Sequence, residues 1–159
     1  MSPKSLLRHP KATSKLTDMA EGTTFREVLD DDTLATAPER VTRLIFCSGK
    51  VYYDLLDYRE EHKIKNVAII RIEQLYPLNY GMVKAITARY TSPKKKWVWC
   101  QEEPKNMGAW SHIAPRLAEL ADNNTLRCSA RERSSSPAAG SKAIHYCEQE
   151  KLVADAFEV

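Results

Sequence analysis

Trp97–Trp110 reads WVWCQEEPKNMGAW, and its sequence of apolar, charged and small residues decides the fold class. Trp97–Gln101 reads as a buried strand, Glu102–Asn106 as a turn carrying charge, and the residues from Gly108 onward as the entry to a helix. A strand that is apolar at nearly every position is covered on both faces, as parallel strands sandwiched by helices are. The acid pair Glu102-Glu103 stands at the carboxyl end of that strand, the edge at which open α/β sheets bind ligands.

The same alternation continues on either side. Val41–Cys47 reads as a strand, with Ser48 placed to cap a helix over Lys50–Lys63. Val67–Ile72 is a second strand, rich in β-branched residues. After Pro77 and Asn79 a helix follows, in which Met82, Val83, Ile86 and Tyr90 recur at helical spacing. Beyond Trp110, the residues Ile113, Ala114, Leu117 and Ala121 form one apolar helical face. Pro115 interrupts it, so this helix either starts as late as His112 or bends at the proline. Leu126–Ser129 reads as a strand, Arg131–Gly140 as a polar loop and Ser141–Phe157 as a terminal helix. Four strand-helix units in series imply a mostly parallel sheet with helices on both faces. Phe25–Leu29 adds a fifth, antiparallel edge strand ahead of the acidic loop Asp30-Asp31-Asp32. Residues 1–24 read as a leader or interdomain linker and residues 25–159 as one α/β domain.

The composition narrows the classes of function. A chain of 159 residues with 43% hydrophobic and 28% charged residues is ordinary for one globular domain. No apolar run approaches the roughly 20 residues of a membrane span, and the basic N-terminus lacks the apolar core of a secretory signal. A net charge of +3 is too small to argue for nucleic-acid binding, and Lys94-Lys95-Lys96 reads as a solvated turn that guards a hydrophobic strand. The four cysteines, Cys47, Cys100, Cys128 and Cys147, have no metal-ligand spacing; Cys47, Cys100 and Cys128 lie within or at the ends of strands and read as small hydrophobes, a usage that suits a reducing compartment. Asn123-Asn124-Thr125 matches a glycosylation acceptor, which carries no weight without a secretory signal.

Several groups are candidates for chemistry. Glu102 and Glu103 invite an acid-base reading, and with it a free-standing hydrolase. Neighbours on an extended strand point to opposite sides, however, so the two acids do not converge on one atom. The expectation is that one pairs with a cation or caps the following helix while the other meets a partner. Lys50, in Ser48-Gly49-Lys50 at a strand-to-helix junction, is a candidate phosphate contact, although the glycine spacing of a P-loop is absent. Arg131 and Arg133, with Ser134-Ser135-Ser136, form a candidate anion site at the same end of the sheet. Glu132 and Glu102-Glu103 are available to pair with these arginines, within the chain or across a subunit contact. His112 is expected to be a surface histidine.

The ordered set CSGKVYYDL (Cys47–Leu55), IRIEQLYP (Ile70–Pro77), WVWCQEEPKNMGAW and SPAAG (Ser136–Gly140), with SPKSLLRHPKA at Ser2–Ala12, resembles the C-terminal domain of the 2-oxoglutarate dehydrogenase E1 component. Ala130, where the family usually has glycine, and the stretch Ser111–Arg116 depart from its pattern. The resemblance implies a transketolase-like C-terminal domain, a three-layer α/β sandwich with a five-stranded sheet. It implies a parent homodimer that uses thiamine diphosphate and Mg²⁺ to decarboxylate 2-oxoglutarate and to succinylate the lipoyl group of the E2 succinyltransferase. The implied compartment is the bacterial cytoplasm or the mitochondrial matrix, with no nucleic-acid or membrane partner. The Gly-Asp-Gly…Asn motif that holds metal and diphosphate is missing from this sequence. No residue here therefore inherits a catalytic, cofactor or metal role, and the chain is expected to be inactive alone. The expected role is structural and dimer-organising, in contact with the remaining E1 domains and a second subunit. The alternative is a regulatory module in which Lys50, Arg131 and Arg133 grip a nucleotide or acyl-CoA phosphate.

Overall fold

In the computed structural model, which describes residues 3–34, 37–92, 95–122 and 124–158, the apolar runs line up side by side in one sheet. The strands are β1 (Val28–Leu29), β2 (Arg43–Cys47), β3 (Val67–Ile72), β4 (Lys96–Pro104) and β5 (Leu126–Arg131). Their order is β1-β3-β2-β4-β5, with β1 antiparallel to β3 and every other pair parallel. Register pairs Ile45 with both Ile69 and Val98, so the central strands present a matched β-branched row on one face, while Phe46, Ile70 and Trp99 align on the other.

Period-two alternation divides these strands between two cores. Leu44, Phe46, Ala68, Ile70, Trp97 and Trp99 pack against α2 (Tyr80–Ala88) and α3 (Trp110–Ala121), through Val83, Ile113 and Leu117. Ile45, Cys47, Ile69, Val98 and Cys100 pack against α1 (Val51–Glu61) and α4 (Lys142–Glu158), through Val51, Leu55, Leu152 and Val153. The result is the three-layer α/β sandwich. Trp97 and Trp99 are 2% and 1% exposed, and side chains of this class contribute about 1.5–3 kcal/mol each when fully buried.

Several boundaries differ from those read in the sequence, each for a physical reason. β4 runs on to Pro104, so Glu102 and Glu103 lie in a strand and not in a turn. A register shift between Cys100 and Pro104 lets the strand continue beside β5. β5 likewise extends through Arg131, which is buried and not part of a polar loop. Ser48 does not cap α1; the helix begins at Val51 after Gly49 at φ +75°, with no side-chain cap. Gly108 lies outside α3 at φ +64°. That helix starts at Trp110 and carries Pro115 through its exposed side, rather than starting at His112. β1 is shorter than Phe25–Leu29.

Lys95 is no solvated guard. Its ammonium donates to the carbonyls of Thr87 and Tyr90 at the end of α2, where a cation complements the helix dipole. Lys94 of the same run and Asn123 of the acceptor motif lie outside the described residues, as does Ser2. Among the described residues, no helix is long and apolar enough to cross a membrane.

Candidate functional site

The carboxyl end of the sheet carries a network built from four elements. Gly49, in the left-handed region, turns the chain sharply after β2 and places Lys50 just ahead of α1. Glu102 projects from β4 on the side of Val98 and Cys100, facing α1 and α4. Lys50 Nζ lies 2.8 Å from Glu102 Oε1 and 2.9 Å from Asp54 Oδ2, one turn into α1. From α4, Gln149 Nε2 donates to both carboxylates, at 2.9 Å to Asp54 and 3.2 Å to Glu102. Gln149 Oε1 in turn accepts from Arg131 at 3.0 Å. The same guanidinium nitrogen donates to His145 Nδ1 at 2.9 Å, and its other terminal nitrogen lies 3.6 Å from Glu148. An arginine can only donate, so His145 Nδ1 is the acceptor in this contact.

This arrangement fixes what the edge can do. Burial pushes the Lys50 ammonium toward deprotonation, but its bonds to Glu102 and Asp54 outweigh that and hold its pKa above the ordinary value. Lys50 is therefore charged at neutral pH and neutralised by its own neighbours. Arg131 is likewise engaged, with only Nε unpartnered. Arg133 is exposed in the loop after β5 and takes no part in the network. The edge is thus a mixed-charge lock between α1, β4, β5 and α4, not an open anion cradle. Glu103 points the other way and is exposed, so the two acids do not converge.

The organising residue of the signature is Gln101, which the sequence reading passed over. It is 3% exposed. Its Oε1 accepts from Trp99 Nε1 at 2.9 Å and from the Trp110 backbone N–H at 2.9 Å, which caps α3 from outside. Its Nε2 donates to the carbonyls of Met107, at 2.8 Å, and Pro104, at 3.1 Å. A Cβ on Gly108 would lie 2.9 Å from Gln101 Nε2 and from Glu103 Oε2, so glycine is required by space as well as by φ. An amide flanked by a buried strand and a tight turn was the available signal.

A second knot had no signal beyond its acidity. Asp31 is ion-paired with the buried Arg59 of α1, and its Oδ2 accepts the Ile69 N–H at 2.9 Å. It thereby continues the edge pairing of β3 where β1 ends. Asp30 accepts from the Tyr90 hydroxyl at 2.6 Å; burial, and after it this hydrogen bond, raises that phenol's pKa. His112 is half-buried and reaches the Leu75 carbonyl at 3.2 Å. Cys47 and Cys100 are buried and free, and Cys147 is exposed. Burial pushes the Cys128 thiol up to about 11. Among the described residues, no three His, Cys, Asp or Glu side chains are placed to hold a metal ion.

Comparison with known proteins gives a consistent result. The model of the family described as 2-oxoglutarate dehydrogenase C-terminal matches residues 13–157. The 2-oxoglutarate dehydrogenase E1 component of Rickettsia felis is 48% identical over 161 residues, covering 99% of this chain and 16% of that protein. The E1 component of Azotobacter vinelandii is 47% identical over 164 residues, and that of Coxiella burnetii 44% over 162. Each of these two alignments covers 100% of this chain and 17% of the relative. The chain thus spans about a sixth of the length of the curated relatives it matches.

Proposed function

The chain belongs to the 2-oxoglutarate dehydrogenase C-terminal family, and from that premise we propose that it serves as the C-terminal domain of a 2-oxoglutarate dehydrogenase E1 component. In this reading the parent enzyme decarboxylates 2-oxoglutarate with thiamine diphosphate and Mg²⁺ and passes the succinyl group to lipoyl-E2. This domain organises the subunit and its dimer and supplies no reacting group.

One observation carries the reading. The edge where an α/β sheet normally binds ligand is filled by the domain's own Lys50, Asp54, Glu102, Gln149 and Arg131. Thiamine diphosphate and Mg²⁺ do not fit these residues. The cations needed for a diphosphate are already paired, and the carboxylates that would meet a metal, Asp54 and Glu102, are already engaged by Lys50 and Gln149. No catalytic step is therefore assigned to this chain. Contact with further E1 segments is supported by large apolar side chains left in solvent. Leu7, Leu16 and Met19 in the leader are 78%, 85% and 68% exposed, and Ile144 and Tyr146 on α4 are 53% and 54% exposed.

The test is ferricyanide reduction with 2-oxoglutarate, thiamine diphosphate and Mg²⁺, on this chain alone and on the same chain joined to the preceding five-sixths of a relative. No turnover alone and turnover when joined is the expected result. Turnover by the chain alone would overturn the non-catalytic role, and an inactive joined enzyme would overturn the assignment to E1.

A further inference from the structure

Away from the network, at the amino end of the sheet, three cations stand together on the α1/α4 face. Arg43 opens β2, and its strand partners in register are Val67 and Lys96. Val98, two residues along β4, pairs with Arg127 of β5. Period-two alternation therefore puts Arg43, Lys96 and Arg127 on the same side as Ile45 and Val98. None of the ion pairs among the described residues involves any of the three. Lys96 and Arg127 are exposed. Arg43 is only 9% exposed, yet its Nε has no hydrogen-bond partner among the described residues.

A buried guanidinium N–H without an acceptor, as at Arg43 Nε, is costly because its desolvation is not offset by pairing. It cannot escape by losing its proton. Burial, then the Arg127 charge, pull its pKa below the ordinary value, against a smaller opposing pull from Glu158. Its side chain lines a cavity of about 420 Å³, with Lys96 on one wall and Ile64 and Phe157 on others. That space suits a small ligand carrying an anionic group and an apolar part.

We infer that this cavity binds the phosphate group of a small phosphorylated molecule, with Arg43 and Lys96 on its wall. Arg127, which lies outside the lining and shares a small neighbouring pocket with Lys96, adds charge from beyond it. A phosphate would supply the Arg43 guanidinium with the anionic partner it lacks among the described residues, and a dianion would relieve the repulsion between Arg43 and Arg127. The site lies on residues distinct from the Lys50–Glu102 network and goes beyond the E1 reading, whose assay does not report on it.

Inorganic phosphate is the probe, titrated calorimetrically into this chain against chloride at constant ionic strength. Saturable binding of one phosphate per chain is expected. Arg43→Met should weaken it about tenfold or more, as expected for a lost charge-assisted contact. The exposed substitutions Lys96→Gln and Arg127→Gln, which leave the core intact, should weaken it several-fold. Lys84→Gln, an equal charge change on the opposite layer, should have no effect. Glu158→Gln should tighten binding, because it removes an acid whose charge acts on Arg43. Absence of saturable binding by the unmodified chain would overturn the inference. So would equal affinity in Lys96→Gln, Arg127→Gln and Lys84→Gln.

Discussion

At the carboxyl end of the sheet Arg131 is buried among acceptors drawn from three helical residues, while at the amino end Arg43 is buried beside other cations. A third arginine, Arg59, lies near Arg43 and separates the effect of position from that of company. It reaches the Val67 carbonyl at 3.2 Å and is ion-paired with Asp31, so the amino end is able to satisfy a guanidinium. Burial at that end is therefore not what leaves Arg43 unpaired. What differs is the supply of acceptors: the 30–33 loop sends Asp31 and Thr33 to Arg59, whereas among the described residues no carboxylate forms an ion pair with Arg43, Glu158 exerting only a weak pull. A sheet of this class can close one edge with its own charges and leave the other open for an anion.

The contrast is broken most severely at Arg59. Arg59→Met strands the Asp31 carboxylate in the core and should cost about 3–5 kcal/mol, the usual loss when one member of a buried pair is removed. Denaturant unfolding would measure it, and a loss below about 1 kcal/mol would remove Arg59 as the satisfied counterpart of Arg43. Gly108→Ala attacks the carboxyl edge through backbone geometry. A side chain at φ +64° that also meets Gln101 and Glu103 should lower stability by about 1–3 kcal/mol.

Lys50→Met removes the hub of the closed network, and its effect should be smaller, about 1 kcal/mol, because the site is partly solvated. Its pH dependence carries the sign. The folded pKa of Lys50 is raised, so its contribution is fully present below the unfolded value near 10.5. It is lost as pH climbs through the folded value. The stability gap between the unmodified chain and Lys50→Met should be constant from pH 7 to 9 and narrow only at the alkaline end.

The smallest expected change is at Arg43. In phosphate-free buffer, Arg43→Met removes an uncompensated cation and should leave stability unchanged or slightly raised, opposite to Arg59→Met. A loss as large as that of Arg59→Met would mean that Arg43 is already paired. Thiol labelling sharpens both measurements without altering the fold. Cys147 should react first and Cys128 slowly. Cys47 and Cys100, which lie in the core beneath α1 and α4, should react only on unfolding.

The sequence was informative to different degrees along the chain. Periodicity carried β2, β3 and the central helices because their apolar positions repeat at the spacing of the element they form. The ends of β4 and β5 were illegible, since Glu102, Glu103 and Arg131 look like turn residues until a neighbouring strand pairs their backbone. The charged candidates Lys50, Glu102 and Arg131 were visible by type and by place at the strand ends. Their mutual engagement was not, because it depends on Gln149 and His145, which stand in an unremarkable run of α4 and arrive only when that helix packs on the sheet.

By itself the sequence determined the layer architecture, the family and the absence of the cofactor-holding motif, because these follow from local patterns and ordered motifs. Tertiary structure alone decided which charges cancel. Charge pairing depends on distances between residues as far apart in the chain as Asp54 and Gln149, or Asp31 and Arg59, and those distances exist only once the helices have docked. The stretch WVWCQEEPKNMGAW belongs to both sides of that division. Its residue types reveal the family, and its folded geometry shows that Gln101 and Gly108 hold the turn together while Glu102 closes the edge.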